Sequence, residues 1–208
     1  MKKLFLILII GFTASFAVYS QNEFGFKAGL SSYDLAERPI ANTSDIKFGL
    51  KDSKFGFHAG LYGRLGLAGI YLQPEILFNS NTVSYKLSDL TSADTIEQIR
   101  TSRYQNIDIP VLLMLTPSIF KIYAGPVGHY FLNKVSDIDS KYEIKEEIKN
   151  LRYGYQLGAG LTIKGLTIDF RYEGNFSKHY KTFVIDGKEF KSDDSPSRIL
   201  LSLWFSLF

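Results

Sequence analysis

The 208-residue chain contains no cysteine. That absence excludes a disulfide framework, a thiolate metal site and a lipoprotein anchored through cysteine. Charge of one sign is also scarce. Acids and bases are dispersed and the net charge is only +3, so no basic stripe suits a nucleic-acid backbone, and nucleic acid is not an expected partner. The mature part of the chain lacks an apolar run of the ~20 residues that a spanning helix needs. Its longest apolar stretches, Ile107 to Leu115 and Ile199 to Phe208, are strand-sized. There is no Gly-x-Ser-x-Gly elbow and no phosphate-binding loop. The three histidines, His58, His129 and His179, are far apart and lack metal-ligand spacing. No metal, cofactor or catalytic residue is expected.

What is present begins with an export signal. Met1, Lys2 and Lys3 form a short basic region, Leu4 to Phe12 is almost continuously apolar, and Ala17, Val18, Tyr19, Ser20 and Gln21 end the stretch. This is the layout of a secretory signal peptide with cleavage after Ser20. The expected division is therefore residues 1–20 as signal and residues 21–208 as one domain.

Period-two alternation then recurs along the chain, the mark of strands with one apolar face. Phe24, Phe26, Ala28 and Leu30 alternate with Gly25, Lys27 and Gly29, and the segment from Phe55 to Leu61 nearly copies it. Further strands are expected over Ile70 to Asn79, Tyr104 to Leu115, Phe120 to Phe131, Leu151 to Ile163, Leu166 to Asn175 and Ser197 to Phe208. The count is eight. Connections alternate in length: short around Gly66 to Gly69, Thr116 to Ile119 and Lys164 to Gly165, but long and polar over Ser31 to Lys54, Ser80 to Arg103, Leu132 to Asn150 and Phe176 to Pro196. Short turns at one end and long loops at the other are the plan of an outer-membrane barrel with its long loops outside the cell. Loops beyond about 15 residues would count against an ordinary compact domain.

Composition of the two strand faces decides which one looks out. The polar face carries Lys27, His58, Arg64, Glu75, Asp108, Lys121, Arg152, Asp169, Arg171 and Glu173, interleaved with Gly25, Gly29, Gly56, Gly60, Gly125, Gly154, Gly158 and Gly160. An eight-stranded barrel has an interior just wide enough for side chains to fill it. Glycines on some strands make room for long charged groups from others, and the mixed charges can neutralise one another, as burial requires. On the apolar face, aromatics fall near the strand ends: Phe55, Phe78, Tyr130, Tyr153 and Tyr172 towards the long loops, and Phe24, Phe120 and Phe205 towards the short turns. Two such belts are the interfacial girdles of a membrane barrel. The expected fold is all-β: an eight-stranded antiparallel transmembrane β-barrel with short periplasmic turns and four long extracellular loops. A soluble periplasmic lipocalin-like barrel is the structural rival.

Two features sit awkwardly. Terminal Phe208 resembles the aromatic C-terminus that the barrel-assembly machinery recognises, yet it shares a face with Ser202, Trp204 and Ser206; a bulge or a frayed last residue would reconcile this. Pro74, Pro110 and Pro126 fall inside strands, where each removes a ladder hydrogen bond, so bulges or strand ends are expected there.

The order and spacing of Gln73-Pro74-Glu75, Ile109-Pro110, Ala124-Gly125-Pro126 and Arg171-Tyr172 resemble the PorT-like outer-membrane β-barrel family of Bacteroidetes over essentially the whole mature chain. The resemblance implies an eight-stranded outer-membrane barrel and little about activity.

The histidines are the candidates for acid–base chemistry. His58 should face the lumen, where Asp169 or Glu75 would be the acid of an acid–base pair, although polar neighbours are ordinary in a filled barrel. His129 and His179, with Asp137 or Asp186, would make an extracellular dyad only if the loops bring them together. The segment Lys141 to Lys149 reads as a short helix or an extended hairpin arm, and Asp193 and Asp194 as a solvated loop or a divalent-ion contact to lipopolysaccharide. The reading is a non-enzymatic, monomeric outer-membrane barrel whose long loops meet the surroundings or an extracellular or envelope protein. Its expected partners are membrane lipid, lipopolysaccharide and, during insertion, the barrel-assembly machinery. A membrane-embedded hydrolase at the extracellular rim and a narrow ion channel are the alternatives.

Overall fold

A computed structural model of the chain describes residues 22–33, 38–42, 46–67, 70–89, 96–136, 145–147, 150–176, 180–185, 188–193 and 197–207. The strands are β1 (Glu23–Tyr33), β2 (Arg38–Asn42), β3 (Ile46–Leu67), β4 (Ile70–Asp89), β5 (Ile96–Leu115), β6 (Phe120–Ser136), β7 (Lys145–Glu147), β8 (Leu151–Ile163), β9 (Leu166–Asn175), β10 (Tyr180–Ile185), β11 (Lys188–Asp193) and β12 (Arg198–Ser206). Eight of them close on themselves in the order β1-β3-β4-β5-β6-β8-β9-β12, every neighbour antiparallel, with β12 returning to β1. The expected eight-stranded closed barrel is what forms. Closure removes every free strand edge, which lipid demands because no water is there to satisfy one. The remaining strands lie at the long-loop end: β2 pairs with β3, and β7, β10 and β11 form a separate sheet.

The short connections follow from local chemistry. Lys164 and Gly165 have φ of 49° and 83°, and positive φ at both central residues is the geometry of a tight hairpin matching strand twist. The β5–β6 turn uses Pro117, whose carbonyl accepts from the Phe120 N–H at 3.2 Å.

Barrel strands run further than the alternation indicates. β3 has 22 residues and β4 and β5 have 20 each, against 10 in β9 and 9 in β12. About 9–11 tilted residues cross a bilayer, so one side of the wall rises well beyond it. Parts of three expected long loops, 46–54, 80–89 with 96–103, and 132–136, are therefore strand. Two bulges explain where the pattern breaks. The register of β3 on β4 shifts between Lys54 and Phe57, and that of β5 on β6 shifts at Gln105 and Asn106, which face Asn133 and Phe131. An extra residue flips the faces. Outward positions on β6 are accordingly Phe120, Ile122 and Tyr130 below the bulge and Asn133 and Val135 above it.

The three prolines correct the expectation of bulges or strand ends. Pro74, Pro110 and Pro126 lie within β4, β5 and β6, and the register is unchanged across them: Pro74 faces Val111 and Leu77 faces Asp108, while Pro110 faces Val127 and Leu113 faces Ala124. The strands stay in register because they press together beside the prolines. A Cβ at Gly125 would collide with the Val111 carbonyl oxygen. No bulge rescues the C-terminus either. β12 pairs with β1 without a shift, and the Leu207 N–H continues the ladder by donating to the Phe24 carbonyl at 2.9 Å; Phe208 lies outside the described residues.

Side-chain placement follows the two faces. Outside are Phe24, Phe55, Phe120, Tyr130, Tyr153, Tyr172 and Phe205, all exposed, with Phe78 half-buried against Phe57. Inside are nearly all the expected charges; Arg152 alone among them is only half-buried.

Candidate functional site: a charged network that fills the lumen

The lumen is built in layers from residues on the inward parity. Nearest the short turns, Tyr62, Leu112, Met114, Tyr123 and Trp204 pack into an apolar layer. Above it lies a first ionic cluster. Arg171 of β9 sends Nη1 and Nη2 to Glu75 of β4 at 2.9 and 2.7 Å, and its Nε lies 3.0 Å from Asp169. Lys27 of β1 reaches both acids, at 3.4 Å from Glu75 and 3.1 Å from Asp169. Neutral amides and an indole use the remaining lone pairs. Gln73 donates to Glu75 at 2.6 Å, Gln156 accepts from Arg171 at 2.9 Å, and Trp204 Nε1 donates to Asp169 at 3.1 Å. The Lys27 ammonium and the Arg171 guanidinium lie 4.9 and 5.2 Å from the Trp204 ring centroid, so the network rests on the aromatic layer below it.

A second cluster lies towards the long loops. Arg198 Nη2 bridges Asp108 of β5 and Glu173 of β9 at 2.7 and 2.6 Å. His129 of β6 completes it, with Nδ1 2.7 Å from Asp108 and Nε2 3.6 Å from Glu173. Asn79 donates to Asp108 at 2.7 Å and Gln156 Nε2 donates to Glu173 at 2.8 Å, which joins the two clusters. Above them Ser31 donates to Asn81 at 2.8 Å, and the hydroxyls of Tyr85 and Tyr104 bond at 2.7 Å.

The arrangement pairs its charges internally rather than presenting them. Lys27, Arg171 and Arg198 face Glu75, Asp108, Asp169 and Glu173, and each of these side chains is almost completely buried. Buried ions of this kind hold only because each is paired and hydrogen-bonded; one partner removed leaves a costly uncompensated charge. The atoms of Asp108, His129 and Glu173 lie close enough together to resemble a metal-ligand set, all within 4.8 Å. The bridging Arg198 guanidinium already provides the positive charge between the two carboxylates.

Several sequence expectations change here. His58 pairs with neither Asp169 nor Glu75: its Nε2 lies 2.8 Å from Ser202 Oγ, because Gly29 of β1 stands between them, opposite both, and has no side chain to keep them apart. His129 is not at the rim. It is buried in the lumen against Asp108 and Glu173, which removes the basis for an extracellular dyad through it. His179, Asp137, Asp186 and Asp194 lie outside the described residues. Of the Lys141 to Lys149 segment, Lys145–Glu147 is extended and pairs with β10, and Asp193 ends β11. Arg198, the bridge of the second cluster, was missed. It stands beside the last long loop, but its parity with Leu200, Ser202 and Trp204 marks it as inward.

Comparison with known proteins agrees with the geometry. The profile of a family described as "Outer membrane protein beta-barrel domain" matches residues 19–180. No curated protein matches the chain by sequence. Among solved structures, the solid-state NMR structure of the outer membrane protein AlkL in DMPC lipid bilayers is similar, with 11% identity, a TM-score of 0.51 and coverage of 92% of each chain. That likeness is one of fold.

Proposed function

The chain belongs to the outer membrane protein β-barrel domain family, and from that premise we propose that it is a closed, non-enzymatic anchor that displays a β-rich extracellular head. It is a β-barrel embedded in the outer membrane. The observation that carries the proposal is the filled lumen. An apolar layer and two linked ionic clusters occupy its cross-section, so a permeating ion would have to break buried pairs. The material available for recognition stands at the other end, where β3 to β6 outgrow the bilayer and β7, β10 and β11 form their own sheet. That head is the surface for an extracellular or envelope protein partner.

Export through a signal peptide cleaved after Ser20, insertion by the barrel-assembly machinery, contact with lipopolysaccharide and a monomeric state complete the proposal. The PorT-like assignment within the family rests on the proline-bearing motifs around Pro74, Pro110 and Pro126. The test is planar-bilayer recording with the purified protein. A silent bilayer is expected, and steady single-channel conductance would overturn the anchor in favour of a channel.

A further inference from the structure

At the short-turn end the lumen opens into a polar recess of about 360 Å³, lined by Asn22, Glu23, Arg64, Tyr71, Thr116, Ser118, Lys121 and Ser206. It lies on the periplasmic side of the apolar layer. Its charges do not balance. Arg64 Nη1 donates to Glu23, Tyr62 donates to the other oxygen of that carboxylate at 2.9 Å, and Arg64 Nε is held by Gln73 at 2.9 Å. Glu23 and Arg64 thus cancel each other. Lys121, at the start of β6, is 9% exposed and lines the same recess. Among the described residues it makes no direct ion pair or hydrogen bond, and Arg64 and Glu23 are the charges that act on it. Lys27, Arg171 and Arg198 are each paired with carboxylates, whereas the recess keeps one net positive charge, carried by Lys121 beside the Glu23–Arg64 pair.

We propose that the recess is a binding site for a phosphate group, with Lys121 as its charge and the hydroxyls of Thr116, Ser118 and Ser206 as its hydrogen-bond donors. Lysine serves such groups as a point charge with three donors, and hydroxyls rotate to suit the oxygens. A single uncompensated cation favours a singly charged group. The volume far exceeds the roughly 30 Å³ share of one water, leaving room for a phosphate and its hydration. Free phosphate and an inner-leaflet phospholipid headgroup offer the same chemistry at this mouth, since both are on the periplasmic side.

The experiment uses the full mature barrel in maltoside micelles, free of phosphate, with its lysines labelled for side-chain nitrogen NMR. Inorganic phosphate is titrated first. The same signal is then compared between micelles and nanodiscs of phosphatidylglycerol. The Lys121 signal should move with phosphate, and Lys121→Met should weaken the binding seen by calorimetry at least about tenfold. A shift in nanodiscs together with loss of the phosphate response assigns the site to the headgroup; a phosphate response that persists there assigns it to the free ion. Lys121→Gln, which keeps a donor without the charge, guards against misfolding of the first variant, and retained heat-modifiable mobility certifies both. No movement with either source, or equal binding by the folded variants, overturns the proposal.

Discussion

Replacing Arg171 with methionine should unfold the lumen's first cluster and with it much of the barrel's stability. Methionine keeps most of the stem's bulk and removes the guanidinium that holds Glu75 through two nitrogens and Asp169 through a third. Lys27 is then the one cation between two buried carboxylates, at 3.4 and 3.1 Å. Breaking a buried pair by removing one partner costs about 3–5 kcal/mol, a large share of a typical total of about 5–15 kcal/mol. With a urea dependence of ~2 kcal/mol per molar, the midpoint should fall by about 2 M. The single tryptophan reports directly, because Trp204 donates to Asp169 and carries the Arg171 guanidinium over its ring. Urea unfolding in lipid vesicles, followed by Trp204 fluorescence, is the assay. The informative partner is the double variant Arg171→Met with Glu75→Gln. It leaves Lys27 facing Asp169 alone, a balanced pair, and should recover about half of the loss or more. A midpoint shift under about 0.5 M for the single variant, or a double variant less stable than the single, would refute the view that charge balance holds the lumen together.

Other consequences follow from the same structure. Arg198→Met removes the bridge between Asp108 and Glu173 and leaves their oxygens with His129 as a metal-like triad; Zn²⁺ should raise the unfolding midpoint of this variant, while an equal rise in the parent protein would contradict the role given to Arg198. Gly125→Ala should abolish folding judged by heat-modifiable mobility, because its Cβ meets the Val111 carbonyl, whereas Gly128→Ala, with open space, should fold normally. Leu157→Arg, at the middle of β8 and exposed outward, should cost about 2–4 kcal/mol in vesicles if it faces the bilayer midplane, and a negligible change would place that face in water.

Much of the barrel is legible in the sequence because a membrane barrel obeys one simple rule, apolar out and polar in, along every strand. That rule locates β8 and β9 at both ends, since no bulge interrupts them. It stops short on β3 and β6, where extra residues at Phe55 to Gly56 and at Leu132 exchange the faces just as the strands leave the apolar zone. Above that level alternation fades in β4 as well, because Ser80 and Ser84 are buried along with Asn81 and Tyr85. The inward charges are equally readable, but their pairing is not. Which acid meets which base depends on register around the closed sheet and on depth, so His58 falls to Ser202 and His129 to Asp108. The apolar layer of Tyr62, Leu112, Met114, Tyr123 and Trp204 sits on the polar parity and is invisible to any argument from charge.

The central claim is that the polar face is the inside and the apolar face meets lipid. Adjacent residues of β12 test it most directly: Ser202 is 2% exposed and points inward, and Leu203 is 42% exposed and points out. The chain has no cysteine of its own, so Ser202→Cys and Leu203→Cys each give one label site. In isolated outer membranes, a lipid-soluble maleimide should modify the cysteine at 203 and leave the one at 202 untouched, while a water-soluble maleimide should modify neither. Rapid aqueous labelling at 202 with protection at 203 would mean that the faces are reversed and would contradict the account.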